Sequence, residues 1–186
     1  MNLPNKLTVL RLIMIPIFVA VYFITALPYN YVISAVIFAL AAFTDFLDGY
    51  IARKYNLVTD LGKFLDPIAD KVLVCTAVIV MLVNPLIFPW YASIGVAIII
   101  ARELIVSGFR MVAASKNMVI AADWSGKIKT FVQDIAIIVL LVGAQFINVT
   151  AINLVGIIAF WVAVLLTVIS GTECIVKNIS VLKSNK

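Results

Sequence analysis

Histidine is absent from the 186 residues, and cysteine occurs only twice, as Cys75 and Cys174. Any metal chemistry must therefore rest on oxygen donors, because imidazole is missing and the two thiols fall inside apolar stretches, where packing is their ordinary role. Nothing in the cysteine usage reports a redox compartment. Charge is scarce as well: only 12% of residues are Asp, Glu, Lys or Arg, against roughly 25% in a soluble domain. Long polar linkers and low-complexity tracts are also lacking, which excludes a second domain or a soluble catalytic module. The expectation is one membrane domain over residues 1–186. Asn148-Val149-Thr150 and Asn178-Ile179-Ser180 match the glycosylation pattern, but so short a motif recurs by chance and carries no weight.

What is present is hydrocarbon. The hydrophobic residues make up 65% of the chain and its mean hydropathy is +1.18. Apolar stretches of the roughly 20 residues needed to cross a bilayer recur near 8–27, 29–52, 64–83, 90–110, 128–146 and 152–174. The expected fold is all-α, an integral membrane bundle of six transmembrane helices. Lys6 and Arg11 precede the first apolar run in the manner of a signal peptide, but the run is long and a second span follows at once, so the first helix is expected to be retained. Pro16 should only bend it.

The charges are segregated. With six spans, all 14 Lys and Arg residues lie in or near segments 1–7, 53–63, 111–127 and 175–186, which share one side, and the opposite loops have none. Positive loops mark the cytoplasmic side, so both termini are expected on that side of a membrane, with the active site facing the cytoplasm. The net charge of +5 suits anionic membrane lipids and is not read as a sign of nucleic-acid binding. The acids follow the same geography, with Asp134 somewhat deeper. A transporter would place ionisable groups near the midplane, on a path reaching both faces. Chemistry at one interface fits better.

Five of the nine acidic residues crowd into one segment, as Asp45, Asp48, Asp60, Asp66 and Asp70. On a helix, Asp45, Asp48, Gly49, Ala52 and Arg53 share a face at the end of the second span, and Gly62, Asp66 and Asp70 do so on the third. The short connection makes these helices antiparallel neighbours, with both carboxylate pairs directed into one cavity. Four ionised carboxylates in a low-dielectric site must protonate or recruit cations. Two divalent ions would neutralise them, and oxygen-only donors imply Mg²⁺ or Mn²⁺ rather than zinc. Such ions keep open positions for phosphate oxygens. Gly49, Ala52 and Gly62 would let a bulky ligand approach the backbone, and Arg53 could hold a phosphate. Asp60 reads more simply as a solvated loop acid. For the other four, ion pairing with Arg53, Lys54, Lys63 or Lys71 is the competing account, but a costly one for buried acids.

The pattern Asp45-x2-Asp48-Gly49-x2-Ala52-Arg53-x8-Gly62-x3-Asp66-x3-Asp70 resembles, at every position, the signature of the CDP-alcohol phosphotransferases, and the six-helix plan extends the likeness over the chain. The resemblance implies transfer of a phosphatidyl or related group from a CDP-linked donor to an alcohol, with release of CMP. It implies that Asp45, Asp48, Asp66 and Asp70 are metal ligands, that Asp70 is also the general base, and that Gly49, Ala52, Arg53 and Gly62 contact the donor. It further suggests a homodimer and a bacterial cytoplasmic membrane as the location. Base catalysis contributes roughly 10²–10⁴-fold. No Ser, Cys or His lies in the motif to form a covalent intermediate, so direct displacement is expected.

Outside the motif, NLPNKLTVLR, ARELIVSGFR and WSGKIKTFVQD resemble the branch of that family whose donor is CDP-diacylglycerol and whose acceptor is glycerol 3-phosphate. An anionic acceptor needs cations of its own. Arg110 and Lys127 are the first candidates, then Arg102 and Lys129, although the positive-inside bias accounts for Lys129 nearly as well. Arg102 lies deep enough that it should pair with an acid near Glu103 or with Asp134, or bind ligand. Asn5, Thr8 and Arg11 enter the first helix at helical spacing, where they would reach the cytidine or simply cap and anchor that helix; Asn5 and Thr8 are read as donor contacts. Asp123 and Ser125 are read as helix caps and Trp124 as an interfacial anchor. The same chemistry with phosphatidylglycerol, inositol phosphate or serine as acceptor is the nearest competing function, and a Mg²⁺ transporter the more distant one.

Overall fold

The computed structural model describes residues 3–54, 60–85, 87–116, 118, 120, 124–146 and 150–179, without the side chains of 3, 4, 46, 50, 52–54, 60–67 and 150. Six helices follow in order: α1 (Leu3–Phe23), α2 (Asn30–Lys54), α3 (Asp60–Met81), α4 (Ala92–Ser115), α5 (Trp124–Gln145) and α6 (Thr150–Lys177). No strand occurs among the described residues. The fold is all-helical, as expected, and each helix coincides with one of the six apolar stretches.

The helices outrun the hydropathy at one end of the bundle. α1 begins at Leu3 and α5 at Trp124, while α2 continues to Lys54, α4 to Ser115 and α6 to Lys177. Apart from that of α4, these added turns carry Lys or Arg, which are good helix formers but lie outside an apolar window. Pro16 sits inside α1, and the helix runs through it. α3 begins at Asp60, four residues before its apolar stretch.

Among the described residues, five helices are long and apolar enough to cross a membrane, and α3 is not one of them. In sequence, Asp60, Lys63, Asp66, Asp70 and Lys71 fall among the first twelve residues of α3. The remaining half of α3 is apolar and packs into the core through Leu73, Ala77, Val78 and Met81.

Neighbouring helices in hydrocarbon gain little from the hydrophobic effect, so close contact depends on fit and on small residues. α6 packs on α5 and α4, α1 packs on α2 and α3, and α2 packs on α5. A Cβ at Gly156 would come within 2.8 Å of Leu140 on α5, and one at Gly95 within 2.8 Å of Phe160 on α6. The absent side chains therefore set the spacing of both pairs. Phe88 and Phe160 rings, 4.7 Å apart, close the end of the bundle away from the charged turns. Beside them Tyr91 stacks on Trp161. Trp90 at that end and Trp124 at the other are strongly exposed, the placement of an aromatic belt at two interfaces.

Between α1 and α2 the chain reverses through Tyr29, whose φ of 58° lies in the left-handed region. Asn30 secures the turn by donating from Nδ2 to the Tyr22 carbonyl at 2.9 Å.

Candidate active site

The charged ends of α2, α3, α4 and α5 enclose a cavity of about 900 Å³. Its lining carries both signs of charge. Asp45 and Asp48 of α2 and Asp70 of α3 contribute carboxylates beside Gly49, while Arg102 and Arg110 of α4 and Lys127 of α5 contribute cations. Lys71, Glu103, Ser107, Thr130 and Asp134 line it as well. Ala39, Ala42 and Phe43 of α2 and Phe131, Ile135 and Ile138 of α5 add an apolar wall.

Helical periodicity brings the α2 acids together, since Asp45 and Asp48 stand three residues apart and face the same way. Asp48 is buried and Asp45 is partly open. Both are held by Arg11 of α1, whose Nη1 lies 2.8 Å from Asp45 Oδ1 and whose Nη2 donates to Asp48 Oδ2 at 2.6 Å. Asp45, Asp48 and Asp70 line the one cavity, and a third helix holds the α2 pair. On α3, Asp66 lies one turn and Gly62 two turns before Asp70. The side chains of Ala52, Arg53, Gly62 and Asp66 lie outside the described residues, as does Asp123.

The cations have their own supports. Arg102 Nη1 lies 3.2 Å from Glu103 Oε1, and Nη2 donates to Ser170 Oγ of α6 at 2.9 Å. Its stem rests on α6 where Gly171 has no side chain: a Cβ there would stand 2.9 Å from Arg102 Cγ. Arg102 thus pairs with Glu103 itself. The Nε atoms of Arg102 and Arg110 are buried without a hydrogen-bond partner among the described residues, and so is Asp134 Oδ1. Lys127 places its ammonium 5.3 Å from the centre of the Trp124 ring.

Lys129 departs from the expected grouping. It is buried and ion-paired with Glu103, and it borders a separate recess of about 20 Å³ behind Asp70. An ammonium removed from water must be paired, and Glu103 meets that need. Asn5 and Thr8 are buried in α1, off the cavity lining. Ser125 lies within the first turn of α5 and so does not cap it. Sequence reasoning overlooked Glu103, Ser170 and Gly171 as site residues, and it left the partner of Arg11 open.

The donor chemistry around Asp45, Asp48 and Asp70 is oxygen throughout, which suits a hard divalent cation and not a soft one. Among the described residues no three His, Cys, Asp or Glu side chains form a complete metal-binding group, and the side chain of Asp66 is outside them.

A family model described as CDP-alcohol phosphatidyltransferase matches residues 1–169. The chain belongs to the CDP-alcohol phosphatidyltransferase family. Within that family it is 40% identical over 195 residues to the CDP-diacylglycerol–glycerol-3-phosphate 3-phosphatidyltransferase of Bacillus subtilis (strain 168), covering 99% of this chain and 98% of the relative. The Rickettsia bellii (strain RML369-C) protein of the same name is 42% identical over 170 residues, 91% of each chain. The one from Salmonella typhimurium (strain LT2) is 41% identical over 170 residues, 89% of this chain and 88% of the relative.

Proposed function

We propose that this family member transfers the phosphatidyl group of CDP-diacylglycerol to glycerol 3-phosphate, giving phosphatidylglycerophosphate and CMP. The observation that carries the reading is one cavity lined by both carboxylates and guanidiniums. Carboxylates suited to metal-bound diphosphate and guanidiniums suited to a second, free phosphate face one volume, with the Nε atoms of Arg102 and Arg110 still to be satisfied. The printed names of the relatives support both substrates.

Asp45, Asp48, Asp66 and Asp70 would hold two divalent cations, Mg²⁺ or Mn²⁺. When bound, these supply charge neutralisation at the donor diphosphate and at the leaving CMP. Asp70 accepts the proton of the acceptor hydroxyl. That oxygen forms a bond to the phosphorus bearing the diacylglycerol, the bond from that phosphorus to the bridging oxygen breaks, and CMP leaves with the electron pair. Gly49, Ala52, Arg53 and Gly62 contact the donor at the α2–α3 end, with Asn5 and Thr8 supporting them from α1. Arg110, Lys127 and Arg102 hold the acceptor phosphate, where charge-assisted donors contribute most. Lys129 is left out of this set because its charge is spent on Glu103.

The placement in the membrane completes the reading: six spans, one domain over residues 1–186, both termini and the cavity toward the cytoplasm, and a homodimer. The basic helix ends support the orientation, and the apolar stretch of α3 supports the sixth span.

Purified protein supplied with CDP-diacylglycerol, Mg²⁺ and each acceptor in turn tests the assignment through CMP release. Turnover is expected with glycerol 3-phosphate and is expected to vanish in excess chelator. Turnover with inositol phosphate, serine or phosphatidylglycerol but not glycerol 3-phosphate would overturn the choice of acceptor.

A further inference from the structure

Arg11 is fully buried in α1, outside the family's aspartate pattern and off the cavity lining, yet all three of its described contacts are to α2. One arm of its fork meets Asp45 at 2.8 Å and the other meets Asp48 at 2.6 Å. Its Nε donates to the Ala41 carbonyl at 3.3 Å, an oxygen that also accepts from the Thr44 hydroxyl at 2.7 Å. These contacts fix the plane of the guanidinium along one turn of α2. A planar fork can bridge two carboxylates three residues apart, whereas an ammonium is a point charge and serves one direction well.

Asp48 is only 2% exposed, and both acids border the cavity. Asp48 turns Oδ2 to Arg11 in a hydrogen bond and Asp45 turns Oδ1 to it in an ion pair, which biases the rotation of both carboxylates. Partners that hold a carboxylate from behind in this way govern how well it takes a metal, and losing one typically costs about 10–100-fold in metal affinity or activity.

We propose that Arg11 is a positioning residue for the metal site, holding Asp45 and Asp48 in one orientation toward the cavity and thereby setting their affinity for a divalent cation. The proposal rests on the reading that these carboxylates bind metal. It assigns Arg11 no contact with the nucleotide, since the side chain is fully buried and does not line the cavity.

The test uses the full-length protein in nanodiscs without substrate, titrated with Mn²⁺ and followed by the electron paramagnetic resonance signal of the free ion. Arg11→Lys and Arg11→Gln are expected to weaken Mn²⁺ binding about 10–100-fold, the neutral variant more than the charged one. In turnover, the Mg²⁺ concentration for half-maximal rate should rise by a similar factor for Arg11→Lys. At saturating Mg²⁺ its KM for CDP-diacylglycerol should match that of the unaltered protein. A monodisperse variant that binds Mn²⁺ within about twofold of the unaltered protein would reduce Arg11 to packing and sink the proposal. Loss of both variants to misfolding even in saturating Mn²⁺ would make it a folding residue instead. If the unaltered protein neither binds Mn²⁺ nor loses turnover in chelator, the metal site itself is refuted and the proposal goes with it.

Discussion

Asp70 carries the proton step of the proposed reaction, and its replacement separates chemistry from folding. Asp70→Asn keeps the shape and removes the base, so kcat should fall by about 10²–10⁴-fold while the thermal midpoint stays close to that of the unaltered protein. Residual turnover within a few fold would remove Asp70 as the base. Arg110 and Lys129 make a second contrast. Arg110→Met should raise the KM for glycerol 3-phosphate by tenfold or more, since a hydrogen bond to a charged group contributes about 1.5–3 kcal/mol. Lys129→Met should act on stability, costing about 3 kcal/mol, the low end for breaking a buried pair because Arg102 still faces Glu103. A lower unfolding midpoint with an unchanged KM would establish the difference. At this scale the aspartates were legible because their spacing repeats a pattern tied to chemistry. The commitment of Lys129 was not, because position along a helix does not tell which neighbour an ammonium will meet. Arg11 was half legible: the cost of burying an unpaired cation, applied to Arg102, demands an acidic partner for Arg11 as well.

Helix α6 has no residue of the recognised motif, but it seats one of the cations that line the cavity. Ser170 and Gly171 receive the guanidinium and the stem of Arg102. Gly171→Val should push that side chain away from its seat, raising the KM for glycerol 3-phosphate several-fold and leaving the KM for CDP-diacylglycerol unchanged. Equal rises in both constants would argue for general loosening of α4 against α6. Nothing in the sequence of α6 announces this role, since a Ser-Gly pair in an apolar run is also ordinary helix packing. The helices themselves were legible to within a turn or so at their apolar ends, where hydropathy and helix stop together. At the charged ends hydropathy falls while the helix persists, so α2, α4 and α6 run further than the apolar windows indicate. At the start of α5 the same persistence brings Lys127 onto regular helix, while Asp48 and Arg110 already lie within their apolar windows.

Across the whole molecule, every charged side chain described lies toward one end, and the other end is closed by aromatic rings. Reporter fusions offer a direct check on the proposed orientation: alkaline phosphatase joined near residue 28 or 88 should be active, and joined after residue 179 it should be inactive. The reverse pattern would invert the topology. The distribution of charge has a further consequence for the fate of the product. A cavity that opens at one interface takes the nucleotide-activated lipid from that leaflet and returns the newly made anionic lipid to the same one. Synthesis on this plan adds mass to a single side of the bilayer, so the opposite side can grow only if another agent carries lipid across.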